Sequence, residues 1–257
     1  ELGSVDPLRD IEIINTELIL ADLAAIQKRQ ASREKKAKGG DKDAIRELAL
    51  IDKLLPQLED GQPALTLDLS AEENLLLREF CLLSSKKTIF ACNVSEDDLA
   101  GALENPGAHP MVSRVAEFAS TSQGAQAVVI SARVEEELIA LEPEEALEFL
   151  AAMGVTDSGA AALIRGVYSL LGLRTFLTSG EKETRAWTVV AGAKAPAAAG
   201  VIHTDFERGF IAAEVCSYQD MVESGAKSAA RDAGKLRIEG KDYEVQDGDV
   251  IEFRFNV

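Results

Sequence analysis

Lys86-Lys87-Thr88-Ile89-Phe90-Ala91-Cys92-Asn93-Val94-Ser95-Glu96 is the stretch from which the fold is read. Its centre, Thr88 to Cys92, is a short β-branched and aromatic run bounded by polar residues, which predicts a buried parallel strand rather than a helix. The run ends in Asn-x-x-Glu, at the strand edge where open α/β sheets place their ligand loops. A second run, Ala127-Val128-Val129-Ile130, ends the same way in Ser131-Ala132-Arg133. Between them, Met111 to Ser120 is rich in Ala, Val and Phe and predicts a helix. Strand, helix and strand then deliver two polar loops side by side, a pocket suited to a flat heterocycle.

The totals bound what surrounds this unit. The 257 residues suffice for two domains or three small ones, and the net charge is −17. So acidic a chain is not, as a whole, a nonspecific nucleic-acid binder, which relies on cations against phosphate. Three widely spaced cysteines (Cys81, Cys92, Cys216) form no Cys-x-x-Cys and read as small buried residues in a reducing compartment. No apolar run is long enough to cross a bilayer and no charged-then-apolar leader opens the chain, so a cytoplasmic protein without membrane contact is expected. The chain begins without Met, in Glu1-Leu2-Gly3-Ser4, which leaves room for a native N-terminal part ahead of it.

Upstream of the central strand, Asp6-Pro7 signals a helix entry. Ile11, Ile14, Leu18, Ala21 and Ala25 form one apolar stripe, and Leu48, Ile51, Leu55 and Leu58 a second. Joined by Lys38-Gly39-Gly40-Asp41-Lys42, the two predict an antiparallel helical hairpin over residues 8–60. Ser70 and Glu73 are spaced for a capping box, opening a helix that runs to Phe80. Downstream, Asp97-Asp98-Leu99 starts a short helix or turn, and His109-Pro110, with an exposed His, opens the next helix. Val134 to Ala140, the segment after Glu142-Pro143, and Ala161 to Leu171 are helical; Gly172 marks a domain boundary. Beyond it, Arg174 to Thr178 and Thr184 to Val190 read as a hairpin turning at Ser179-Gly180-Glu181. Ala195 to Gly200 is a short helix, and Phe210 to Val215, Tyr243 to Val245 and Val250 to Phe255 are strands. That mixture fits a compact α+β domain over residues 173–257.

Asn93-Val94-Ser95-Glu96 and Ser131-Ala132-Arg133 resemble the base-holding motifs of the translation-factor class of P-loop GTPases. Gly39-Gly40-Asp41-Lys42, Arg185-Ala186-Trp187-Thr188 and the run Ile202-His203-Thr204-Asp205-Phe206-Glu207-Arg208-Gly209-Phe210 sharpen the match. Together they resemble the YchF, or Obg-like ATPase, family from Val5 to Val257. The resemblance implies that residues 1–7 and 61–172 are the C-terminal part of a P-loop nucleotide-binding domain. It also implies that residues 8–60 are an inserted coiled-coil arm, and that residues 173–257 are a TGS domain of ubiquitin-like β-grasp fold. Members begin with a phosphate-binding loop and two switch segments, none of which is in these 257 residues. Hydrolysis is therefore assigned to the full-length form, Mg²⁺ is expected only with that N-terminal segment, and no catalytic residue is named.

Within that frame Asn93, Val94, Glu96, Ser131 and Ala132 are the candidate base-binding residues. A carboxamide pairs a donor with an acceptor, as the N6/N7 edge of adenine requires. Guanine-specific relatives carry Asp where this chain has Glu96, one methylene longer, and Lys where it has Val94. ATP is thus expected over GTP, with Ser131 and Ala132 offering backbone N–H groups. At the hairpin tip, Lys28, Arg29, Arg33, Lys35, Lys36, Lys38 and Lys42 face only Glu34 and Asp41, seven cations against two anions. A solvated helix end would look alike. The sharper reading is a finger for ribosomal RNA or another polyanion, acting through phosphate because no aromatic lies among the cations. The C-terminal part has 11 basic and 14 acidic residues, so charge alone does not make it an RNA binder.

His203-Thr204-Asp205 has no second His nearby and reads as a pair holding a loop between a strand and a turn, and no metal site is expected. Gly225-Ala226-Lys227-Ser228 lacks a Gly before the Lys and is rejected as a phosphate loop. Two functions follow: a monomeric YchF-type ATP-hydrolysing switch signalling to the ribosome, or a non-enzymatic adaptor docking through arm and TGS domain.

Overall fold

Two long helices open the chain, α1 (Pro7–Ala37) and α2 (Lys42–Glu59), in a computed structural model that describes residues 5–122, 124–180 and 183–256. Glu181 of the expected hairpin turn lies outside these, as do Glu1 to Ser4 and Val257. Gly40 reverses the chain at φ 83°, a left-handed conformation that glycine adopts without steric cost. Asp41 then caps α2, its carboxylate accepting from the N–H groups of Asp43 and Ala44 at 3.0 Å each.

The two helices share a core of Ile19, Ile26, Leu50, Ile51, Leu54 and Leu58. On α1 this is not the expected stripe. Ile14 is 53% exposed and Leu20 58%, whereas Ile19, Asp22 and Ile26 are buried. Apolar residues lie all around α1, so spacing alone selects no face; the buried face is decided by what Asp22 reaches. Its carboxylate accepts from Leu83 N–H (2.8 Å), Ser84 N–H (2.7 Å) and the Ser84 hydroxyl (2.6 Å). A buried anion persists when hydrogen-bonded in this way, and here it ties the base of the arm to the loop ahead of the central strand.

Helix α3 (Ala71–Phe80) starts with the expected capping box between Ser70 and Glu73 and buries Leu77 and Phe80 against the arm core. Strand β1 (Thr88–Asn93) pairs in parallel with β2 (Ala125–Ile130), from Thr88↔Ala125 to Asn93↔Ile130. β1 is not buried as the sequence suggested: its residues are exposed or half-buried, because among the described residues the sheet has only these two strands. Around it lie α4 (Glu96–Glu104), α5 (Pro110–Thr121), α6 (Ala132–Ile139), α7 (Pro143–Ala152) and α8 (Gly159–Leu171). Leu99, Val112, Val129, Val134, Leu150 and Val155 form the core here. A Cβ on Gly166 would crowd Ile89 and Val128, so α8 sits directly on the sheet. His109 is not a free surface residue; its Nδ1 accepts from Val112 N–H (3.3 Å) and caps α5.

The chain divides into two compact units between Gly166 and Val167, inside α8. The second unit holds β3 (Leu173–Ser179), β4 (Thr184–Val190), α9 (Ala195–Ile202), α10 (Thr204–Arg208) and β5 (Phe210–Ser217). It continues through α11 (Tyr218–Ser224), α12 (Lys227–Asp232), β6 (Arg237–Glu239) and β7 (Asp249–Phe255). The sheet order is β4-β3-β7-β5-β6, with β7 parallel to β3 and antiparallel to β5. Phe176, Ala198, Ala199, Phe210, Val215, Ile251 and Phe253 fill its core.

Three local expectations change in this unit. Tyr243 to Val245 is no strand but a single bridge, Lys194↔Glu244. Asp249 diverts it into a turn by accepting from the Tyr243 hydroxyl (2.7 Å) and Gln246 N–H (2.8 Å). His203 joins two helices rather than a strand to a turn, capping α10 by accepting from Asp205 N–H (3.2 Å). Gly225 ends α11 at φ 71°, a helix stop and not a phosphate loop.

Candidate functional site

Because β1 and β2 are in-register parallel neighbours, their C-terminal turns emerge together. Val94 N–H continues the ladder to Ile130 C=O at 2.9 Å, and each strand then enters a helix, α4 at Glu96 and α6 at Ala132. The first N–H groups of a helix have no partner inside it. In α4, Ser95 supplies one, accepting from Asp98 N–H (3.3 Å) while donating to the Asp98 carboxylate (2.6 Å). In α6, Ser131 holds the N-cap position but its side chain makes no cap bond. Asn93 does the work from across the sheet, its Oδ1 accepting from Ala132 N–H at 2.9 Å.

This bond fixes the Asn93 side chain. With Oδ1 committed to Ala132, the Nδ2 donors and the second lone pair of Oδ1 remain for a ligand. The Ala132 N–H, expected to be open to a ligand, is instead spent on the Asn93 carboxamide. The hydroxyl of Ser131, 1% exposed, is buried with no hydrogen-bond partner. Asn93 itself is exposed and Glu96, in the first turn of α4, is half-buried. Val94 and Cys92 pack onto the core beneath, where burial pushes the Cys92 thiol up from its ordinary value. The mouth of the parallel pair thus carries a fixed carboxamide at Asn93 and, three residues on, a half-buried carboxylate at Glu96.

The arm is less uniform than its sequence. Lys28, Lys35, Lys36, Lys38 and Lys42 are exposed. Arg29 and Arg33 turn inward, donating through Nε at 2.7 and 2.8 Å to the same oxygen of the buried Glu47. Arg29 also lies 4.1 Å from the centre of the Phe80 ring. Burial pushes the Glu47 carboxyl up, but the two guanidiniums outweigh it and hold it below its ordinary 4.5. Glu47 was the available signal, a carboxylate placed among Ala44, Leu50, Ile51 and Leu54 on the inner face of α2. The Asn93–Ala132 contact left none, its partners lying 39 residues apart. Among the described residues no group of three or more His, Cys, Asp and Glu is placed to hold a metal ion, and no helix is long and apolar enough to cross a membrane.

Comparison with known proteins bears on the whole chain. A family model described as YchF-GTPase_C, a protein of unknown function (DUF933), matches residues 173–256. The ribosome-binding ATPase YchF of Bacillus subtilis is 46% identical over 99% of this chain and 68% of its own length.

The chain belongs to the YchF (Obg-like ATPase) family.

The YchF protein of Escherichia coli O157:H7 is 47% identical over the same shares, and Obg-like ATPase 1 of Rattus norvegicus 38% identical over 99% of this chain and 64% of its own. Among solved structures, the Schizosaccharomyces pombe YchF GTPase superposes with a TM-score of 0.79 at 33% identity, covering 98% of this chain and 67% of that one. A Pyrococcus horikoshii GTP-binding protein shares the fold at a TM-score of 0.57 and 20% identity, over 98% of this chain and 72% of its own. The family names thus divide between ATPase and GTPase, and the α/β architecture described above is the YchF one.

Proposed function

We propose that this chain supplies the base-binding end of a purine nucleotide site and a lysine-tipped arm for the ribosome, parts of an ATP-hydrolysing regulatory switch. The observation that carries the reading is Asn93, locked by Ala132 N–H at the shared mouth of β1 and β2. Its Nδ2 can donate to purine N7 while Oδ1 accepts from adenine N6; guanine presents an acceptor, O6, where Oδ1 would meet it. ATP over GTP follows from that polarity, with Glu96 as a further acceptor. The buried, unpartnered hydroxyl of Ser131 leaves hydrogen-bonding capacity at the same turn. Phosphoryl transfer needs a phosphate cradle, a lysine and Mg²⁺, and no residue of this chain is assigned to those roles.

The domain reading is residues 1–7 and 61–172 as part of a P-loop nucleotide-binding domain, 8–60 as an inserted coiled-coil arm and 173–257 as a TGS domain. The order β4-β3-β7-β5-β6, which counts as 2-1-5-3-4 within the unit, supports a β-grasp. Relatives named ribosome-binding ATPases support ribosomal RNA as the polyanion met by Lys28, Lys35, Lys36, Lys38 and Lys42. Action on the ribosome implies a cytoplasmic protein, taken here as a monomer.

The test is a titration with fluorescent ATP and GTP analogues. ATP is expected to bind more tightly, and Asn93→Ala to weaken it about tenfold or more, as loss of a bidentate base contact does. Tight GTP binding without ATP binding refutes the adenine argument. The five exposed lysines equally favour the second reading, a non-enzymatic adaptor; ribosome co-sedimentation without binding of either purine would select it.

A further inference from the structure

We infer that the flank of the arm where α1 meets the end of α3 binds an unpaired RNA nucleotide, its base laid on the Arg29 guanidinium. The inference rests on the arm reading above and deepens it, giving the arm a base contact beside its phosphate contacts. In sequence no aromatic lies among the arm cations, which favours phosphate alone. The fold brings one in. Phe80, the last residue of α3, belongs to the arm core, and its ring centre lies 4.1 Å from the Arg29 guanidinium carbon. Beside this pair runs a groove of about 390 Å³, within the ~300–1,000 Å³ of small-ligand sites. Its polar wall is Lys28, Arg29, Ser32 and Arg33, two pairs four residues apart that share one face of α1. Its floor is Ile26, Phe80 and Leu82, which are 1%, 9% and 2% exposed.

The floor sets the ligand's shape. Side chains so buried offer a flush surface without projecting anchors, which suits neither a partner helix nor a bilayer. The planar group on the wall is the Arg29 guanidinium, whose side chain stays 28% exposed. A guanidinium backed by a ring stacks a further flat group well. The wall sets the charge. Lys28, Arg29 and Arg33 bring three positive charges, and Glu47 offsets one of them without lining the groove. Each guanidinium donates to Glu47 through Nε alone, so among the described residues the Nη groups remain for a ligand. Lys28, Arg33 and the Ser32 hydroxyl then meet phosphate while Arg29 meets the base. A flat ring tied to an anion one sugar away is a nucleotide. In RNA only an unpaired residue can offer its face, because a paired one keeps it inside the helical stack. Stacking accepts any base, so little sequence preference is expected.

Fluorescently labelled oligouridylate of about eight nucleotides, a length that single-strand sites cover, is titrated against the full chain beside a ribose–phosphate strand of equal length without bases. Uracil lacks the N6/N7 edge read at Asn93, so the nucleotide turns stay out of the measurement. The base-bearing strand is expected to bind about tenfold more tightly, the worth of one stacked base. Salt dependence should be equal, since both strands carry the same phosphates. Arg29→Lys keeps the charge and loses the plane; it should erase the preference and leave the base-free strand unaffected, and Phe80→Leu should reduce the preference. Equal affinity of the two strands for the unaltered chain overturns the inference and leaves the arm as a phosphate contact, a comparison that needs no variant to fold. A preference that survives Arg29→Lys overturns it too, placing the base elsewhere. Lys35, Lys36 and Lys38 changed together to Glu should weaken both strands alike, and binding of neither strand to the unaltered chain would overturn the arm reading and this inference with it.

Discussion

Replacing Asp22 by Ala removes the acceptor for three donors at once, Leu83 N–H, Ser84 N–H and the Ser84 hydroxyl. The hydroxyl can rotate to another partner, but the amides are fixed by the backbone. Each buried donor left unsatisfied costs about 1–3 kcal/mol, at the upper end when its lost partner was charged. Two amides and the cavity left by the carboxylate give an expected loss of about 3–5 kcal/mol, confined to the first unit. Asp22→Asn should recover part of it, because a carboxamide keeps one acceptor oxygen but turns a donor toward a donor. Urea unfolding followed by far-ultraviolet circular dichroism, dominated by the long helices, measures the loss. The single tryptophan, Trp187, lies in the second unit and supplies an internal control by fluorescence. A shift below about 1 kcal/mol in the dichroism midpoint would refute the argument that Asp22 anchors the arm.

The Glu47 clamp makes the arm acid-sensitive. Its folded value lies below the unfolded 4.5, so its contribution is present above about pH 4.5 and lost as pH falls through the folded value; Glu47→Gln should flatten that limb of an acid-unfolding curve. Gly209→Ala should destabilise the second unit by about 1–3 kcal/mol or more in thermal unfolding, because its Cβ would fall inside the Asn256 backbone. Lys35, Lys36 and Lys38 changed together to Glu should reduce ribosome co-sedimentation while leaving the melting temperature within about 2 °C, as expected of exposed side chains.

How much of this was readable beforehand depends on how far each contact reaches along the chain. Thr88 to Cys92 announced a strand because residue type and length agree locally, and Gly39-Gly40-Asp41 announced a turn because conformation and cap sit in one tripeptide. The α1 face was not legible, since Leu20 and Ile14 are as apolar as Ile19 and only the loop at Ser84, distant in sequence, breaks the tie. The base-side turns were found as a pair, yet the Asn93 cap on α6 depends on strand register, which no spacing encodes. β6 went unseen because Arg237–Glu239 is three residues long and is held by its neighbour β5 rather than by propensity.

The inward turn of Arg29 and Arg33 has a consequence for how the arm would grip a polyanion. Counterion release scales with the cations that replace condensed ions on the phosphate chain, each adding about 0.7–0.9 to the slope of log affinity against log salt. With both guanidiniums drawn inward onto the one Glu47 carboxylate, the fully exposed cations left to displace ions are the five lysines. Such a grip would carry five of these increments rather than seven, a slope of about 3.5–4.5, and would be tunable one lysine at a time.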